Sequence, residues 1–204
     1  MKKLILISAF LSALPTSAQD TTQVVGRVLS AQGRAEIVRP DGQRSQALRG
    51  VDVSEADILE TDQSGTVQVK LLDSAILVLG CNSSLKIDQY KMDNEELVSL
   101  HLVRGHMRTL TGTTSPEKYR LNVGTANTHI LISSSDTDFE VVEESQGSIS
   151  FGVYDGSIEV HNSLGFVTLG VGEDFSFSRL ENGQPPIGVA IMPNSIKEPA
   201  CEIF

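Results

Sequence analysis

The chain has 204 residues, a formal net charge of −10 and 40% hydrophobic residues, but only 5% aromatic residues and no tryptophan. This acidic balance argues against binding to nucleic acid or to anionic membrane surfaces, because like charges repel. The scarcity of aromatic side chains also weakens a carbohydrate-binding interpretation, since such modules often present aromatic platforms.

The first eighteen residues have the pattern of a secretory signal peptide. Lys2 and Lys3 precede the apolar run Leu4–Leu14, and Pro15–Ala18 supplies the small residues that a signal peptidase selects. The alternative is a membrane anchor, but this run is too short to span a bilayer comfortably. We therefore predict cleavage after Ala18 and a periplasmic or secreted mature chain of 186 residues with a charge of −12.

Strand patterns dominate the first half of the mature chain. Thr66–Leu71 alternates polar and apolar residues, Asp73–Ser74 predicts a turn, and Ala75–Leu79 is a continuous apolar run. Ser84–Asp88 alternates again. The residues predicted to line the core here are Val67, Val69, Leu71, Ile76, Val78, Leu85 and Ile87.

The second half continues in the same way. Further strands are predicted at Val98–Leu102, Tyr119–Val123, Phe139–Val141, Ser148–Val153 and Ser157–His161. Asp155–Gly156 joins the last two strands, and Asp-Gly is a strong hairpin signal. The proline-containing tail predicts a strand near Val189–Ile191 followed by an extended segment.

The whole pattern predicts an all-β fold of antiparallel strands, arranged as a sandwich or as a short β-roll with a solenoid-like order. No eleven-residue window shows a helical apolar stripe. The predicted organisation is a signal peptide at 1–18, one β domain at 19–180 and a tail at 181–204.

Cys81 and Cys201 are the two cysteines of the chain. Export to an oxidising compartment favours a disulfide between them. Such a bond would close a loop of about 120 residues and stabilise the fold by about 4–5 kcal/mol. Two separate thiols remain the alternative, because the sequence does not show how close the two positions lie.

Histidines and carboxylates offer a few candidate chemical groups. Glu159 and His161 share one strand face and could orient a base or bind a metal, but a solvated strand face explains them more simply. His106 and His129 have no ligand pattern nearby, which predicts exposed or hydrogen-bonded roles.

Asp136, Asp138 and Glu140 could form a row of oxygen ligands for Ca²⁺. An exposed acidic edge that discourages strand pairing is the preferred interpretation. The chain shows no Gly-x-Ser-x-Gly elbow, no His-Glu-x-x-His and no phosphate loop. We therefore predict no catalytic residue, no metal and no cofactor.

Glycine-marked corners and strands follow one another in a recognisable order. In the first half they are Val24–Gly26, Gly33–Ile37, Leu48–Gly50, Ala56–Thr61, Gln63–Val69, Ile76–Leu79 and Ser84–Ile87. In the second half they are Leu100–Arg108, Asp136–Val141, Val153–Val160 and Leu169–Glu173. This order resembles the periplasmic FecR domain over most of the mature chain.

Two details of the resemblance concern single segments. Leu100–Arg108 resembles the strand–glycine–strand hairpin of the family. Asp136 stands where the family usually has glycine, so that a left-handed backbone there would be reached at some cost.

The resemblance implies an exported module that binds a cell-envelope protein or ligand without catalysis. The best-known members of the family are membrane-spanning regulators that respond to a loaded iron-siderophore receptor and restrain a sigma factor. We expect neither a transmembrane nor a cytoplasmic segment here, so iron-siderophore sensing is an expectation of the resemblance alone. The alternatives are a carbohydrate- or cell-wall-binding β module and, less favoured, a hydrolase.

Overall fold

A computed structural model describes residues 23–92, 96–124, 128–144 and 147–197 of the chain. These ranges contain seventeen strands, a 3₁₀ turn at Pro116–Lys118 and a one-turn helix, α1, at Asn194–Lys197. The strands are β1 (Val24–Gln32), β2 (Ala35–Val38), β3 (Arg44–Gln46), β4 (Asp52–Ser54), β5 (Ile58–Thr61), β6 (Thr66–Leu71), β7 (Ile76–Leu79), β8 (Ser84–Lys91), β9 (Leu97–Leu110), β10 (Tyr119–Val123), β11 (Thr128–Ile132), β12 (Asp138–Glu143), β13 (Ile149–Asp155), β14 (Ser157–Asn162), β15 (Gly165–Gly170), β16 (Phe177–Leu180) and β17 (Ile187–Val189). The predicted signal peptide lies outside the described residues. No helix within the described ranges has the length and apolar character that crossing a membrane requires.

The strands form two sheets that share β9. Sheet A has the order β4-β1-β6-β7-β9-β12-β13-β16-β17. Sheet B has the order β3-β2-β5-β8-β9-β10-β11-β14-β15. Every pairing among the described strands is antiparallel except that of β9 with β10. The inward residues of both sheets form one hydrophobic cluster, which confirms the predicted all-β class.

Strand β9 passes from sheet B to sheet A at Gly105. Its first half pairs with β8 and β10, and its second half pairs with β7 and β12. Gly105 has φ +95°, a backbone conformation that L side chains rarely adopt. The predicted hairpin at Leu100–Arg108 is therefore wrong: the glycine bends one continuous strand between two sheets and does not reverse the chain.

The Asp155–Gly156 turn is a second change of sheet. Gly156 has φ +71°, as the turn signal requires, but β13 lies in sheet A and β14 lies in sheet B. The predicted hairpin between these two strands is therefore wrong. The Asp-Gly signal predicts the bend correctly. The strands that pair with β13 and β14 depend instead on the burial of apolar faces that are distant in sequence.

The β6–β7 hairpin occurs as predicted, with Asp73–Ser74 in its turn. Val67 lies opposite Leu79, and Val69 lies opposite Leu77, so that these four side chains share the inward face. The other predicted core residues of β6 and β8, namely Leu71, Leu85 and Ile87, are also in the core cluster.

The prediction that Ile76 lines the core is wrong, whereas Val78 is buried as predicted. Ile76 is half-buried, and Val78 is buried but lies outside the core cluster. The apolar run of β7 does not show by itself which face points inward. Pairing with the alternating strand β6 decides the face, because directly opposite residues lie on the same side of a sheet.

This choice of face makes a prediction for unfolding. We expect Leu77→Ala to lower the free energy of unfolding by about 2–4 kcal/mol, because it leaves a cavity in the core. Ile76→Ala, the matched control one residue away on the opposite face, should lower it by about 1 kcal/mol or less. Urea denaturation of both variants measures the difference, and equal losses would contradict the assigned faces.

The C-terminal segment adds to sheet A and covers part of it. The last strand is at Ile187–Val189, slightly earlier than predicted, and pairs with β16. The predicted extended segment is wrong over residues 194–197, which form α1; its Ile196 is buried and lies over Gly152. Cys81 is buried after β7. Cys201 lies outside the described residues, so the disulfide stays a prediction.

Candidate functional site

Three aromatic rings stack across neighbouring strands on the outer face of sheet B. The ring of His161 lies between those of His129 and Phe166, at centroid distances of 5.2 and 5.1 Å and interplanar angles of 11° and 14°. The stack forms because His129 lies opposite His161 in the β11–β14 pairing, and His161 lies opposite Phe166 in the β14–β15 pairing. We call these three residues the ring stack.

The ring stack becomes more exposed toward strand β15, which is the last strand of sheet B. His129 and His161 are half-buried, whereas Phe166 is 63% exposed. The sequence pattern did not single out Phe166. Its alternation with the inward residues Val167 and Leu169 is the signal that could have placed it on the outer face.

Polar side chains surround the ring stack. The imidazole of His161 and the carboxylate of Glu159 form a hydrogen bond of 2.9 Å through Nε2 and Oε2. Asn122 lies opposite His129, and Thr168 lies opposite Glu159. The surface therefore combines aromatic contact area with groups that can donate or accept hydrogen bonds.

Glu159 and His161 are brought together as predicted, but the stacked rings do not suit one metal ion. A metal lies in the plane of each imidazole that binds it, about 2 Å from the nitrogen. The planes of His129 and His161 are nearly parallel and are stacked, so that one ion does not lie in both. No group of three or more histidine, cysteine or carboxylate side chains in the described part of the chain is arranged to hold a metal.

A second polar cluster lies on the outer face of sheet A. The carboxylate of Glu140 accepts hydrogen bonds from His106 Nε2 and, at 2.5 Å, from the hydroxyl of Tyr154. His106 and Glu140 are only 5% and 4% exposed. We call these three residues the buried triad. His106 thus has the hydrogen-bonded role predicted for it.

Beside the buried triad, Arg108 pairs with Asp138. The guanidinium donates two hydrogen bonds to the carboxylate, at 2.9 and 2.8 Å, and lies 4.4 Å from the ring centroid of Tyr154. The prediction of an exposed acidic edge is wrong, because β12 is an interior strand between β9 and β13. Two carboxylates of the predicted row, those of Asp138 and Glu140, lie on β12 and have the partners described above. Asp136 lies in the preceding turn with φ +53°, the left-handed conformation considered for it.

The tyrosines give a pH prediction. Burial is the main cause that raises the pKa of Tyr90, Tyr119 and Tyr154 above the ordinary value of 10, and for Tyr154 the hydrogen bond to Glu140 adds to it. The unfolded chain releases these protons near pH 10 while the folded chain holds them. The contribution of these tyrosines to the free energy of unfolding should therefore be fully present below pH 10. Above pH 10 the free energy of unfolding should fall, by up to about 1.4 kcal/mol per tyrosine and pH unit.

Absorbance of tyrosinate, followed together with circular dichroism during alkaline titration, measures this effect. These three are the only tyrosines, and no tryptophan overlaps them. Tyrosinate should appear together with the loss of strand signal. Gradual ionisation near pH 10 in the folded protein would contradict the prediction.

A charged cleft of about 260 Å³ lies elsewhere on the chain, lined by residues that include Arg34, Glu36, Arg44, Glu60 and Arg104. Arg34 pairs with Glu36 at 3.0 Å, and Arg44 pairs with both Glu36 and Glu60 at 2.7 Å. Much of its charge is therefore neutralised internally. The ring stack, whose outermost ring faces solvent, is the stronger candidate for a binding surface.

Two crystal structures of a candidate anti-sigma factor from Parabacteroides distasonis ATCC 8503 are similar to this chain. Each has 14% sequence identity and a TM-score of 0.49. The similarity covers 64% of this chain and 59% of the other chain. No curated protein matches the sequence.

A family model described as FecR protein matches residues 57–159, just over half of the chain. The matched range runs from the corner before β5 into β14 and includes the sheet-crossing strand β9. It contains the whole buried triad and one member of the ring stack, His129, whereas His161 and Phe166 follow it. This chain belongs to the FecR protein family.

Proposed function

We propose that this chain is an exported, non-catalytic module that recognises a protein of the cell envelope through the ring stack and its polar surroundings. The observation that supports this most is the exposed ring of Phe166 at the end of an ordered stack. Exposed aromatic side chains on a rigid scaffold are the kind of residue that dominates binding energy at protein interfaces. The strands beneath keep the rings in place, so that little entropy is lost on binding.

Membership of the FecR family supports a role in signalling. We extend the proposal to a response to an iron-siderophore receptor, in line with the best-known members of the family. The leader pattern supports export with cleavage after Ala18. Recovery of a mature protein that begins at Gln19 from the periplasmic or secreted fraction tests that part, and retention of residues 1–18 would contradict it.

The second candidate function is carbohydrate or cell-wall binding. It is favoured by the combination of aromatic rings with the nearby polar groups of Asn122, Glu159 and Thr168. It is weakened by the stacking itself, because a sugar packs on a ring face and both faces of His161 are already covered by neighbouring rings.

Affinity capture with the mature chain, residues 19–204, tests the proposed function. The immobilised protein is incubated with envelope extract, and bound material is identified by mass spectrometry. Phe166→Ala should remove at least about 80% of a specifically bound protein, as loss of an interface hot spot would. Leu48→Ala is the matched control, because Leu48 is similarly exposed at 60% but lies between β3 and β4 and is not part of the ring stack.

The outcomes separate the candidate functions. A protein lost with Phe166→Ala but kept with Leu48→Ala supports the proposal. Recovery of glycan alone supports the carbohydrate alternative. Turnover of any substrate that is abolished by His161→Ala would replace a binding role with an enzymatic one.

A further inference from the structure

Strand β15 presents backbone groups at an open sheet edge. Among the described strands it pairs only with β14. The N–H of Gly170 donates to the carbonyl of Phe175, away from β14, at 3.0 Å. Backbone groups alternate in direction along an antiparallel strand, so Phe166 and Thr168 also direct their N–H and C=O groups away from β14.

The sequence of β15 lacks the features that usually prevent strand addition, and the following loop bonds only to its last residue, Gly170. Natural edge strands carry lysine, proline, inward charges or bulges that discourage pairing with another chain. Gly165–Gly170 contains no charged residue and no proline, and its register with β14 is unbroken. Leu164, Phe166 and Val171 add apolar side chains that are 57%, 63% and 64% exposed.

The ring stack ends at the same edge. Neighbouring strands lie about 4.8 Å apart, which is close to the 5.1 and 5.2 Å between the stacked rings. A strand added to β15 would therefore place the residue opposite Phe166 against the outer face of its ring. An aromatic or guanidinium side chain there would continue the stack.

Charge selects the kind of strand that fits. Glu159 lies opposite Thr168, and Glu173 and Asp174 are exposed just after β15. Arg120 is an exposed cation on the same face, but it lies on β10, two strands away from β14. With a net charge of −10, two copies of this chain repel each other, whereas a basic segment is attracted.

We propose that β15 binds an extended, basic segment of another protein as an additional antiparallel strand, with an aromatic side chain packed on Phe166. The inference rests on the proposed function, because it names the form in which the envelope partner is recognised. Main-chain pairing with Phe166 and Thr168 provides affinity, and the ring and the acidic surroundings provide selectivity.

A synthetic peptide tests the inference on the mature chain. The probe is a fluorescein-labelled octapeptide that alternates lysine and valine and carries one central phenylalanine. Fluorescence anisotropy measures its binding, and amide chemical shifts in NMR spectra locate it. We expect the largest shifts at Phe166 and Thr168, and no binding of the same peptide with glutamate in place of lysine.

Two variants separate the backbone contribution from the ring contribution. Thr168→Pro removes an N–H that faces the open edge, where proline is tolerated, and should weaken peptide binding at least about tenfold with little loss of stability. Thr168→Val, its control, keeps the N–H and should bind like the parent. Phe166→Ala keeps the backbone edge and should weaken binding about fivefold to tenfold through loss of stacking.

Each result supports or overturns the inference. Equal binding by Thr168→Pro and the parent overturns strand addition, as does absence of binding at roughly 1 mM peptide. If Thr168→Pro still captures the envelope protein that Phe166→Ala loses, the inference fails while the proposed function stands. A dimer of the chain that Thr168→Pro dissociates, seen by light scattering, would assign the edge to a second copy and overturn the basic partner.

Discussion

Glu140→Ala is expected to lower the free energy of unfolding by about 2–5 kcal/mol, because a buried polar group left without its hydrogen-bond partner costs about 1–3 kcal/mol and this variant leaves two such groups. The carboxylate is 4% exposed and accepts hydrogen bonds from both His106 and Tyr154. Alanine would leave the imidazole of His106 and the hydroxyl of Tyr154 without their shared hydrogen-bond acceptor. Urea denaturation, with secondary structure followed by circular dichroism, measures the loss.

Two control variants distinguish the effect of burial on stability from the effect of a Glu–His hydrogen bond as such. Glu159→Ala removes the carboxylate of the other Glu–His pair, whose side chain is 37% exposed, and should lower stability by less than about 1 kcal/mol. Glu140→Gln keeps the shape and one acceptor oxygen, so its loss should lie between those of the two alanine variants. A loss with Glu140→Ala no larger than that with Glu159→Ala would show that the buried triad contributes nothing beyond a surface pair.

Residue alternation was sufficient to predict strands whose two faces differ. Thr66–Leu71 and Tyr119–Val123 are strands with the predicted bounds, because each places apolar residues on one face and polar residues on the other. The apolar run of β7 carries no such contrast. Its inward face, Leu77 and Leu79, follows from pairing with β6, which a local pattern does not contain.

Errors in the predicted connections have a common physical cause. A glycine with positive φ marks a bend, and Gly105 and Gly156 both are bends. After a bend the chain either reverses within one sheet or continues into another sheet. The outcome depends on which strand the next strand pairs with when it buries its apolar face. The same limit applies to Asp138 and Glu140, which were expected at an exposed edge and lie on an interior strand.

The candidate site was predicted in part. Alternation placed Glu159 and His161 together on an outer face, and their hydrogen bond confirms that they meet. The stacking of His129, His161 and Phe166 depends on the registers of two strand pairs. Because β11 and β14 are separated by two strands of sheet A in the chain, no local spacing relates their histidines.

Gly105→Ala is expected to lower the free energy of unfolding by about 3–5 kcal/mol, the combined effect of backbone strain and overpacking. Gly105 lies where β9 leaves sheet B for sheet A, at φ +95°. A methyl group there would lie 2.3 Å from Ser83 Oγ and 2.6 Å from Ser83 Cα. Ser83 would have to move, and its hydroxyl accepts the N–H of His106 at 2.9 Å, the first bond after the crossing.

Gly50→Ala provides the matched control, because Gly50 has a similar φ of +86° but no atom within 4 Å of the added methyl group. This variant should lose only the strain of the backbone, about 1–2 kcal/mol. Thermal or urea unfolding of both variants measures the difference, which we expect to be about 2 kcal/mol or more. Equal losses would mean that the crossing tolerates a side chain and that contact with Ser83 does not hold the two sheets in register. A larger loss for Gly105→Ala would instead show that both sheets depend on the bend at this residue. Strand β9 pairs with β8 before the bend and with β7 after it.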